Sequence, residues 1–191
     1  AAGCPVLFNS TEERTEGYYN SVLLLEREGL VGSYDKRHLV PFGEYVPLRS
    51  VLGWVTRVTD AADEDRRHGE DLVMMQVGDV AVGPLVCFES AFPDLSRSLA
   101  DRGADVIVLQ TATTTFQGSW AQAQHASLAA VRAVETRRPV IHSALSGDSA
   151  VFAADGSRIT WLGNQSVGTW KAVIPLATGL LGWCPPYSLL G

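Results

Sequence analysis

An apolar run that ends in a reactive side chain constrains the fold of this chain more than any other stretch. Residues 80–86 predict a buried strand, and Cys87, Phe88 and Glu89 follow directly. Pro93, with leucines at helical spacing behind it, predicts the start of a helix. We therefore expect Cys87 at a strand-to-helix turn, where backbone N–H groups favour a thiolate and an oxyanion. That position suits a nucleophile. A small buried core thiol is the commoner role of a cysteine and the alternative interpretation.

The composition indicates one domain and excludes several classes of function. With 191 residues and 46% hydrophobic content, the chain can bury one sizeable core. A net charge of -6 without a dense Lys/Arg patch argues against a nucleic-acid partner. Cys4, Cys87 and Cys184 are an odd and widely spaced set, which predicts neither a disulfide framework nor a zinc site. We find no run of eighteen apolar residues and no signal-peptide pattern, so we expect a soluble chain without metal or cofactor.

Short strands alternate with a few helices along the chain. Strands are predicted over residues 5–8, 18–25, 30–34, 72–77, 80–86, 105–109, 139–143, 149–152, 158–161 and 167–174. Helices are predicted over residues 48–58, from Pro93 onward and over residues 120–136, with exposed polar loops at residues 9–17 and 60–71. Turn residues at 78–79 and 155–156 predict hairpins. This mixture predicts two sheets covered by helices.

A charged loop at residues 34–47 is unusually rich in aromatic rings, and Pro41 and Pro47 hold it extended. A thiol with an ordinary pKa is mostly protonated at neutral pH, so a working Cys87 needs a cation or a base nearby. Lys36 is a candidate for that cation and for binding a developing oxyanion. A solvated surface lysine is the alternative interpretation.

Two further residues are candidates to line a site. Phe116 ends the polar run that follows the buried strand at residues 105–109, and such strand ends often form a pocket wall. His125 lies on the predicted helix at residues 120–136. A packed and hydrogen-bonded histidine is the alternative interpretation of His125.

These segments resemble one family. Residues 34–47 closely match the lysine segment of the bacterial apolipoprotein N-acyltransferases, a membrane branch of the nitrilase superfamily. The run Cys87-Phe88-Glu89 resembles that family's nucleophile motif, in which an aromatic residue and a glutamate follow the cysteine. Residues 19–21 and 132–135 also fit, so the resemblance covers nearly the whole chain.

The resemblance implies a role for each matched residue. Cys87 is the nucleophile, Lys36 steadies the thiolate and the oxyanion, and Glu44 positions Lys36 or a proton. The backbone N–H of Phe88 completes the oxyanion hole. The residues expected to support the site or bind substrate are Phe88, Glu89, Phe116 and His125, with no metal ligand among them.

The family fold is an α/β fold, a nitrilase-like α-β-β-α sandwich, which agrees with the mixed pattern above. The family's general-base glutamate lies on a strand one helix-and-strand unit before residue 5. We therefore expect residues 1–191 to be a single partial nitrilase-like catalytic domain without its first β-α unit, inactive by itself. Residues 113–116 replace an asparagine-rich turn and an aromatic residue of the relatives, which leaves acyl specificity open.

The resemblance also implies a reaction and its partners. The family's cysteine takes a fatty acyl chain from a phospholipid and passes it to the α-amine of a lipoprotein's diacylglyceryl-cysteine. We expect an extracytoplasmic domain at the bacterial cell membrane, attached through segments outside this chain. Two alternatives remain: a nitrilase-type amidase, which hydrolyses the same intermediate with water, and a non-catalytic nitrilase-like module that binds a partner or lipid.

Overall fold

The computed structural model of this protein describes residues 4–52, 64–163 and 172–174. The chain divides into two compact units, Ala1–Val73 and Met74–Gly191. Each unit contains one sheet among its described residues, so the two predicted sheets are found. That the whole chain forms one domain stays a prediction.

The first unit is built on a three-stranded antiparallel sheet. Its strands are β1 (Val6–Arg14), β2 (Gly17–Glu26) and β3 (Gly29–Asp35), in the order β1-β2-β3. The apolar run Val22, Leu23 and Leu24 in β2 and the ring of Tyr34 in β3 are buried. A short helix, α1 (Arg49–Leu52), follows. It is the described part of the helix predicted at residues 48–58, whose remainder lies outside the described residues.

One predicted loop of this unit is wrong. Residues 9–14 continue β1, with Asn9 opposite Val22 and Glu12 opposite Tyr19. Polar residues tolerate a strand here because β1 is an outer strand whose residues are mostly exposed, and ladder hydrogen bonds do not depend on side-chain polarity. The other predicted loop, at residues 60–71, is confirmed over its described residues 64–71, which form no helix or strand and are mostly exposed. Within it, the backbone N–H groups of Arg66, Arg67 and Gly69 donate hydrogen bonds to the rest of the unit, as described below.

The second unit is built on a six-stranded sheet. Its strands, in both chain and spatial order, are β4 (Met75–Val77), β5 (Val80–Val86), β6 (Val106–Thr111), β7 (Val140–Ala144), β8 (Ser149–Phe152) and β9 (Arg158–Leu162). The pairs β5–β6 and β6–β7 are parallel, whereas the hairpins β4–β5 and β8–β9 and the pair β7–β8 are antiparallel. The predicted hairpins and the strands predicted at residues 80–86, 105–109, 139–143, 149–152 and 158–161 are therefore confirmed, whereas only residues 75–77 of the strand predicted at 72–77 form β4. The predicted strand at residues 167–174 lies mostly outside the described residues.

Two helices connect the parallel strands. The helix α2 (Pro93–Asp101) joins β5 to β6, and α3 (Ala121–Thr136) joins β6 to β7, as predicted. Every residue of β6 is buried, which is typical of a central parallel strand. Gly83 of β5 lies so close to Leu99 of α2 that an added Cβ would meet its side chain at 3.0 Å. This close packing places α2 directly against β5.

Candidate active site

Cys87 lies where the sequence predicts it, directly after β5 and before α2. It begins the 3₁₀ turn Cys87–Ala91 and is half-buried. Its φ is 47°, in the left-handed region that costs a residue with a Cβ about 1 kcal/mol or more. Strain of this kind persists only where the surrounding structure imposes it. The turn therefore holds the cysteine in a fixed orientation at the carboxyl end of a parallel strand, where α/β sheets commonly bind ligands.

The residues after Cys87 hold the turn together. Glu89 is fully buried, and its Oε2 accepts a hydrogen bond of 2.7 Å from the backbone N–H of Val86. The backbone N–H of Phe92 donates to the carbonyl oxygen of Glu89 at 3.0 Å. The ring of Phe88 packs edge-to-face on that of Phe92, with centroids 5.1 Å apart. In this geometry Glu89 supports the turn from inside, and the oxyanion-hole role of the Phe88 N–H stays a prediction.

A second support comes from α3. Arg132 is buried and donates from Nη1 to the carbonyl oxygen of Ser90 at 3.2 Å. It also forms an ion pair of 2.9 Å with Glu135, one turn further along the helix. Residues 132–135, noted in the sequence as fitting the family, thus tie α3 to the turn that carries Cys87.

His125 contacts Cys87. The sequence predicted His125 only as a residue that lines or supports the site. Its Nε2 lies 3.8 Å from the Cys87 Sγ, within hydrogen-bonding distance for sulfur. Its Nδ1 lies 3.0 Å from Nε2 of His142, and Nδ1 of His142 lies 2.9 Å from the carbonyl oxygen of Asp148. Four residues thus form a continuous line of polar contacts from the Cys87 turn through α3 and β7 to the turn before β8.

Sequence reasoning missed His142. It lies in the middle of β7 with only 2% of its surface exposed. Burial, and then the neighbouring charge of His125, lowers the pKa of His142 from 6.5 to about 4, against the opposing effect of its hydrogen bond to Asp148. The imidazole is therefore neutral at physiological pH. A lone titratable residue inside an apolar strand was the signal that could have found it.

Lys36 and Glu44 form a buried ion pair in the first unit. Lys36 is 1% exposed, and its Nζ lies 2.7 Å from Glu44 Oε2. Oε2 also accepts from the backbone N–H of Val40 at 2.8 Å, and Oε1 accepts from the amide of Asn20 at 2.9 Å. Burial raises the pKa of Glu44, but the charge of Lys36 and these three hydrogen bonds outweigh it and hold the pKa below its usual value. The interpretation of Lys36 as a solvated surface residue is therefore wrong.

The charged segment after α1 fastens this pair in place. The backbone N–H of Arg66 donates to the carbonyl oxygen of Glu44 at 2.7 Å, and that of Gly69 donates to Lys36 at 2.8 Å. Gly69 lies so close to Asp35 that an added Cβ would fall 2.2 Å from its carbonyl oxygen. Only glycine fits there, because any larger residue would push the segment away from β3.

The remaining candidates are more peripheral. Phe116, on the 3₁₀ turn Thr114–Phe116, is exposed. The same loop is anchored by Thr113, whose Oγ1 donates to Ser146 at 2.6 Å. Cys4, which precedes the first strand, is exposed. Cys184 lies outside the described residues.

Neither a metal cluster nor a membrane-spanning helix occurs in the part of the chain that the structure describes. No group of three or more His, Cys, Asp or Glu side chains there could hold a metal ion. None of the helices within residues 4–52 and 64–163 has the length and apolar character needed to cross a bilayer.

A sequence profile of the carbon-nitrogen hydrolase family matches residues 2–179. The chain belongs to the carbon-nitrogen hydrolase family. Among curated relatives, it is 38% identical over 150 residues to an apolipoprotein N-acyltransferase of Geobacter metallireducens. The matched residues cover 78% of this chain and 28% of that protein. It is 35% identical over 161 residues to that of Synechocystis sp., covering 83% of this chain and 30% of the relative. The chain therefore spans less than a third of the relatives it matches.

Solved structures give the fold of this family member. A carbon-nitrogen hydrolase from Helicobacter pylori superposes with a TM-score of 0.66 at 16% identity, covering 90% of this chain and 62% of that one. A nitrilase-superfamily amidase from Nesterenkonia superposes with a TM-score of 0.63 at 20% identity, covering 85% and 58%. The expected nitrilase-like α-β-β-α fold class is confirmed.

The structure thus brings the candidate residues together in two groups. Lys36 and Glu44 are in contact within the first unit, and Cys87, Glu89 and His125 surround one turn of the second unit. That Lys36 serves Cys87 stays a prediction.

Proposed function

We propose that this chain carries the cysteine site of an apolipoprotein N-acyltransferase. In this reaction, Cys87 takes a fatty acyl group from a phospholipid and passes it to the α-amine of the diacylglyceryl-cysteine of a lipoprotein. The observation that carries the acyl-transfer chemistry is the strained turn at Cys87 with an imidazole nitrogen at its sulfur. The substrate class rests on the names of the relatives, which are 31% to 38% identical.

The first half-reaction forms a thioester. The Cys87 thiolate attacks the carbonyl carbon of the acyl ester, a C–S bond forms, and the negative charge moves to the carbonyl oxygen. Collapse of this intermediate breaks the C–O bond, and the leaving alkoxide takes up the proton that the Cys87 thiol gave up, so that the lysophospholipid leaves as the alcohol. In the second half, the lipoprotein amine attacks the thioester, an amide C–N bond forms, and the C–S bond breaks while the proton lost by the amine goes to sulfur, which returns the Cys87 thiol.

The ion pair between Lys36 and Glu44 in the first unit suits the step that needs a fixed cation, which is the stabilisation of the oxyanion. An ammonium group carries three N–H donors, so the hydrogen bond from Lys36 to Glu44 does not prevent another from binding an oxyanion. Because Glu44 is itself held by Val40 and Asn20, the lysine nitrogen is preorganised. Glu44 acts in this proposal as a positioning residue. The site works at the extracytoplasmic face of the bacterial cell membrane, where both lipid substrates lie.

The test uses the full-length protein expressed from its complete reading frame in membrane vesicles. The vesicles receive a phospholipid with a labelled acyl chain, without an acceptor, and the Cys87 peptide is examined by mass spectrometry. We expect a hydroxylamine-sensitive acyl group on Cys87 that disappears in Cys87→Ala and persists in Cys4→Ser, the matched control on an exposed thiol. A diacylglyceryl lipopeptide added afterwards should take up the label as an amide.

Other outcomes contradict the proposal in different ways. Label released as free fatty acid at the same rate with and without the lipopeptide would indicate hydrolysis, as in an amidase. Vesicles that bind the phospholipid but never form the thioester would indicate a non-catalytic module.

A further inference from the structure

A row of polar side chains crosses the three-stranded sheet and ends at Lys36. Asn9 of β1 donates from Nδ2 to Oδ1 of Asn20 in β2 at 2.7 Å. Asn20 donates from Nδ2 to Oε1 of Glu44 at 2.9 Å, and Oε2 of Glu44 accepts from the Lys36 ammonium group at 2.7 Å. Successive hydrogen bonds therefore connect an outer strand to the cation of the candidate site.

The pairing of the strands places the two asparagines side by side. Thr11 of β1 lies opposite Asn20, so Asn9 occupies a diagonal position two residues along the same strand. Side chains at such diagonal positions share one face of a sheet and can reach each other. Lys36 follows the last residue of β3, and its backbone N–H donates to the carbonyl oxygen of Asn20 at 2.8 Å. Asn20 therefore holds Lys36 twice, directly through its main chain and through its side chain by way of Glu44.

The orientation of the Asn20 amide follows from the groups at both ends of the row. The pKa of Glu44 is held below its usual value, as described above, so its carboxylate is ionised at neutral pH and only accepts hydrogen bonds. The Asn20 atom that faces Oε1 must therefore be the NH2 group, which turns the amide oxygen towards Asn9. At the other end, Asn9 Nδ2 lies 3.1 Å from the carbonyl oxygen of Ser21, which is also only an acceptor. Both ends demand the same donor direction.

We propose that Asn20 is a positioning residue for Lys36: its amide holds the Glu44 carboxylate in the orientation that fixes the lysine ammonium group, and Asn9 holds that amide. This role rests on the proposed function for the step that Lys36 serves, whereas the row of contacts does not. It goes beyond the pairing of Cys87 with a lysine and a glutamate that the family resemblance implies.

The Asn20 amide matters because it binds the second oxygen of the carboxylate. Lys36 and the backbone N–H of Val40 both donate to Oε2 of Glu44, whereas the Asn20 amide donates to Oε1. The two oxygens are bound from different directions, and this fixes the plane of the carboxylate group. Because a lysine side chain is long and flexible, its Nζ keeps one position only if its acceptor does. A fixed ammonium group is what a preorganised oxyanion donor requires.

The same contacts bear on the two roles that the resemblance leaves to Glu44. Donors from Lys36, Val40 and Asn20 point at its carboxylate, and a proton on either oxygen would oppose one of them. In this proposal Glu44 therefore positions Lys36 and does not carry a proton. Other charged side chains of the neighbouring segments have partners of their own, which are Thr11 for Arg66, Arg49 for Asp65, Arg14 for Asp35 and Tyr18 for Glu13.

The first test measures thioester formation on Cys87 in a single turnover, with the full-length protein in membrane vesicles and a labelled phospholipid. We expect Asn20→Ala to slow this step at saturating phospholipid by about tenfold or more, because a hydrogen bond to a charged group is lost. The phospholipid concentration that gives half the maximal rate should stay the same. Gln76→Glu changes an exposed amide of the second unit and is the control, with an unchanged rate. An unchanged rate in Asn20→Ala would overturn the proposal.

The pH dependence of Asn20→Asp separates positioning from packing. Aspartate has nearly the size of asparagine but turns an oxygen towards Glu44 in place of the NH2 group, so two carboxylates face each other. At pH 8 we expect Asn20→Asp to lose at least as much rate as Asn20→Ala. At pH 5 a proton shared by the pair restores a donor, and it resides on the new carboxyl group because Lys36 and Val40 keep Glu44 ionised. The rate relative to the unsubstituted protein should therefore rise as the pH falls, and a ratio that is constant with pH would overturn the positioning role.

A measurement on Lys36 itself needs no acyl donor. Labelling of the full-length protein with acetic anhydride, read by mass spectrometry, reports how firmly the buried ammonium group of Lys36 is held. We expect severalfold faster labelling of Lys36 in Asn20→Ala and a smaller increase in Asn9→Ala, where Glu44 still orients the amide. Equal labelling of Lys36 in these variants and the unsubstituted protein would overturn the proposal.

The proposed function fails separately. If the unsubstituted protein forms no thioester while labelling of Lys36 depends on Asn20, only the assigned reaction is contradicted. If the thioester forms at a rate that is indifferent to Asn20, only the positioning role is contradicted.

Discussion

Lowering the pH should weaken the second unit through one buried histidine. The pKa of His142 is about 4 in the folded protein, against 6.5 for an ordinary histidine, because burial opposes its charged form. The folded-state pKa is lowered, so between these two values the unfolded chain binds a proton that the folded chain does not. The contribution of neutral His142 to the free energy of unfolding is therefore fully present above pH 6.5, and it is lost as the pH drops towards 4.

The magnitude follows from the width of that window. A pKa difference of about 2.5 corresponds to about 3 kcal/mol, at 1.36 kcal/mol for each unit. That is a large share of the 5–15 kcal/mol that typically stabilises a domain. His142→Gln removes the titrating group while leaving an amide that can hydrogen-bond in its place. Between pH 7 and pH 4, the free energy of unfolding of the variant should therefore fall by about 3 kcal/mol less than that of the unsubstituted protein.

Hydrogen exchange measures this locally, without assuming that the whole chain unfolds as one unit. Amide exchange of the peptides covering β7 is followed at several pH values by mass spectrometry and corrected for the intrinsic effect of pH on exchange. For each protein, the measured quantity is the change in β7 protection between two pH values. A loss of packing in the variant lowers its protection at every pH, so this loss cancels in the change. If β7 protection in the two proteins falls in parallel from pH 7 to pH 4, the burial argument is wrong.

Three further predictions concern other parts of the site. Lys36→Met should slow thioester formation at Cys87 by about a hundredfold or more, because a preorganised oxyanion donor is lost, and a single-turnover acylation assay measures this. Glu89→Ala should destabilise the second unit by about 1–3 kcal/mol, since the buried N–H of Val86 loses its acceptor, as urea unfolding followed by tryptophan fluorescence would show. Gly69→Ala should lower the free energy of unfolding of the first unit, measured in urea, by about 2 kcal/mol or more, because its Cβ would collide with the Asp35 carbonyl group. Gly29→Ala is the control: the space around Gly29 is open, so this substitution should show only the strain of its positive φ.

The arrangement of elements in the second unit was largely readable from the sequence. Continuous apolar runs predicted the strands β5 and β6, a shorter apolar stretch predicted β7, and glycine turns predicted the flanking hairpins. The parallel pairing of β5, β6 and β7 was not predicted and comes from the structure. Those signals are local, because a buried strand must be apolar along its whole length and a tight hairpin needs a residue that tolerates positive φ. The position of Cys87 followed from the same signals.

The errors fell where pairing outweighed local composition. Residues 9–14 are polar and predict a loop, yet they form six of the nine residues of β1 because their backbone groups pair with β2. The exposed loop predicted at residues 60–71 is confirmed where it is described, but composition did not indicate that Arg66, Arg67 and Gly69 donate backbone hydrogen bonds to Glu44, Tyr18 and Lys36. In both places, partners distant in sequence supply hydrogen bonds that composition does not encode.

The sequence by itself determined which residues have the chemistry for this site: a cysteine after a buried strand, a lysine segment and a helix-borne histidine. Only the tertiary structure decided how they are used. Lys36 becomes a buried, paired cation because Glu44, eight residues later, folds back onto it. His142 comes into contact with His125, 17 residues earlier in the chain, because β7 lies beside α3. Contacts of this kind join residues distant in sequence, and they exist only once the sheet has formed.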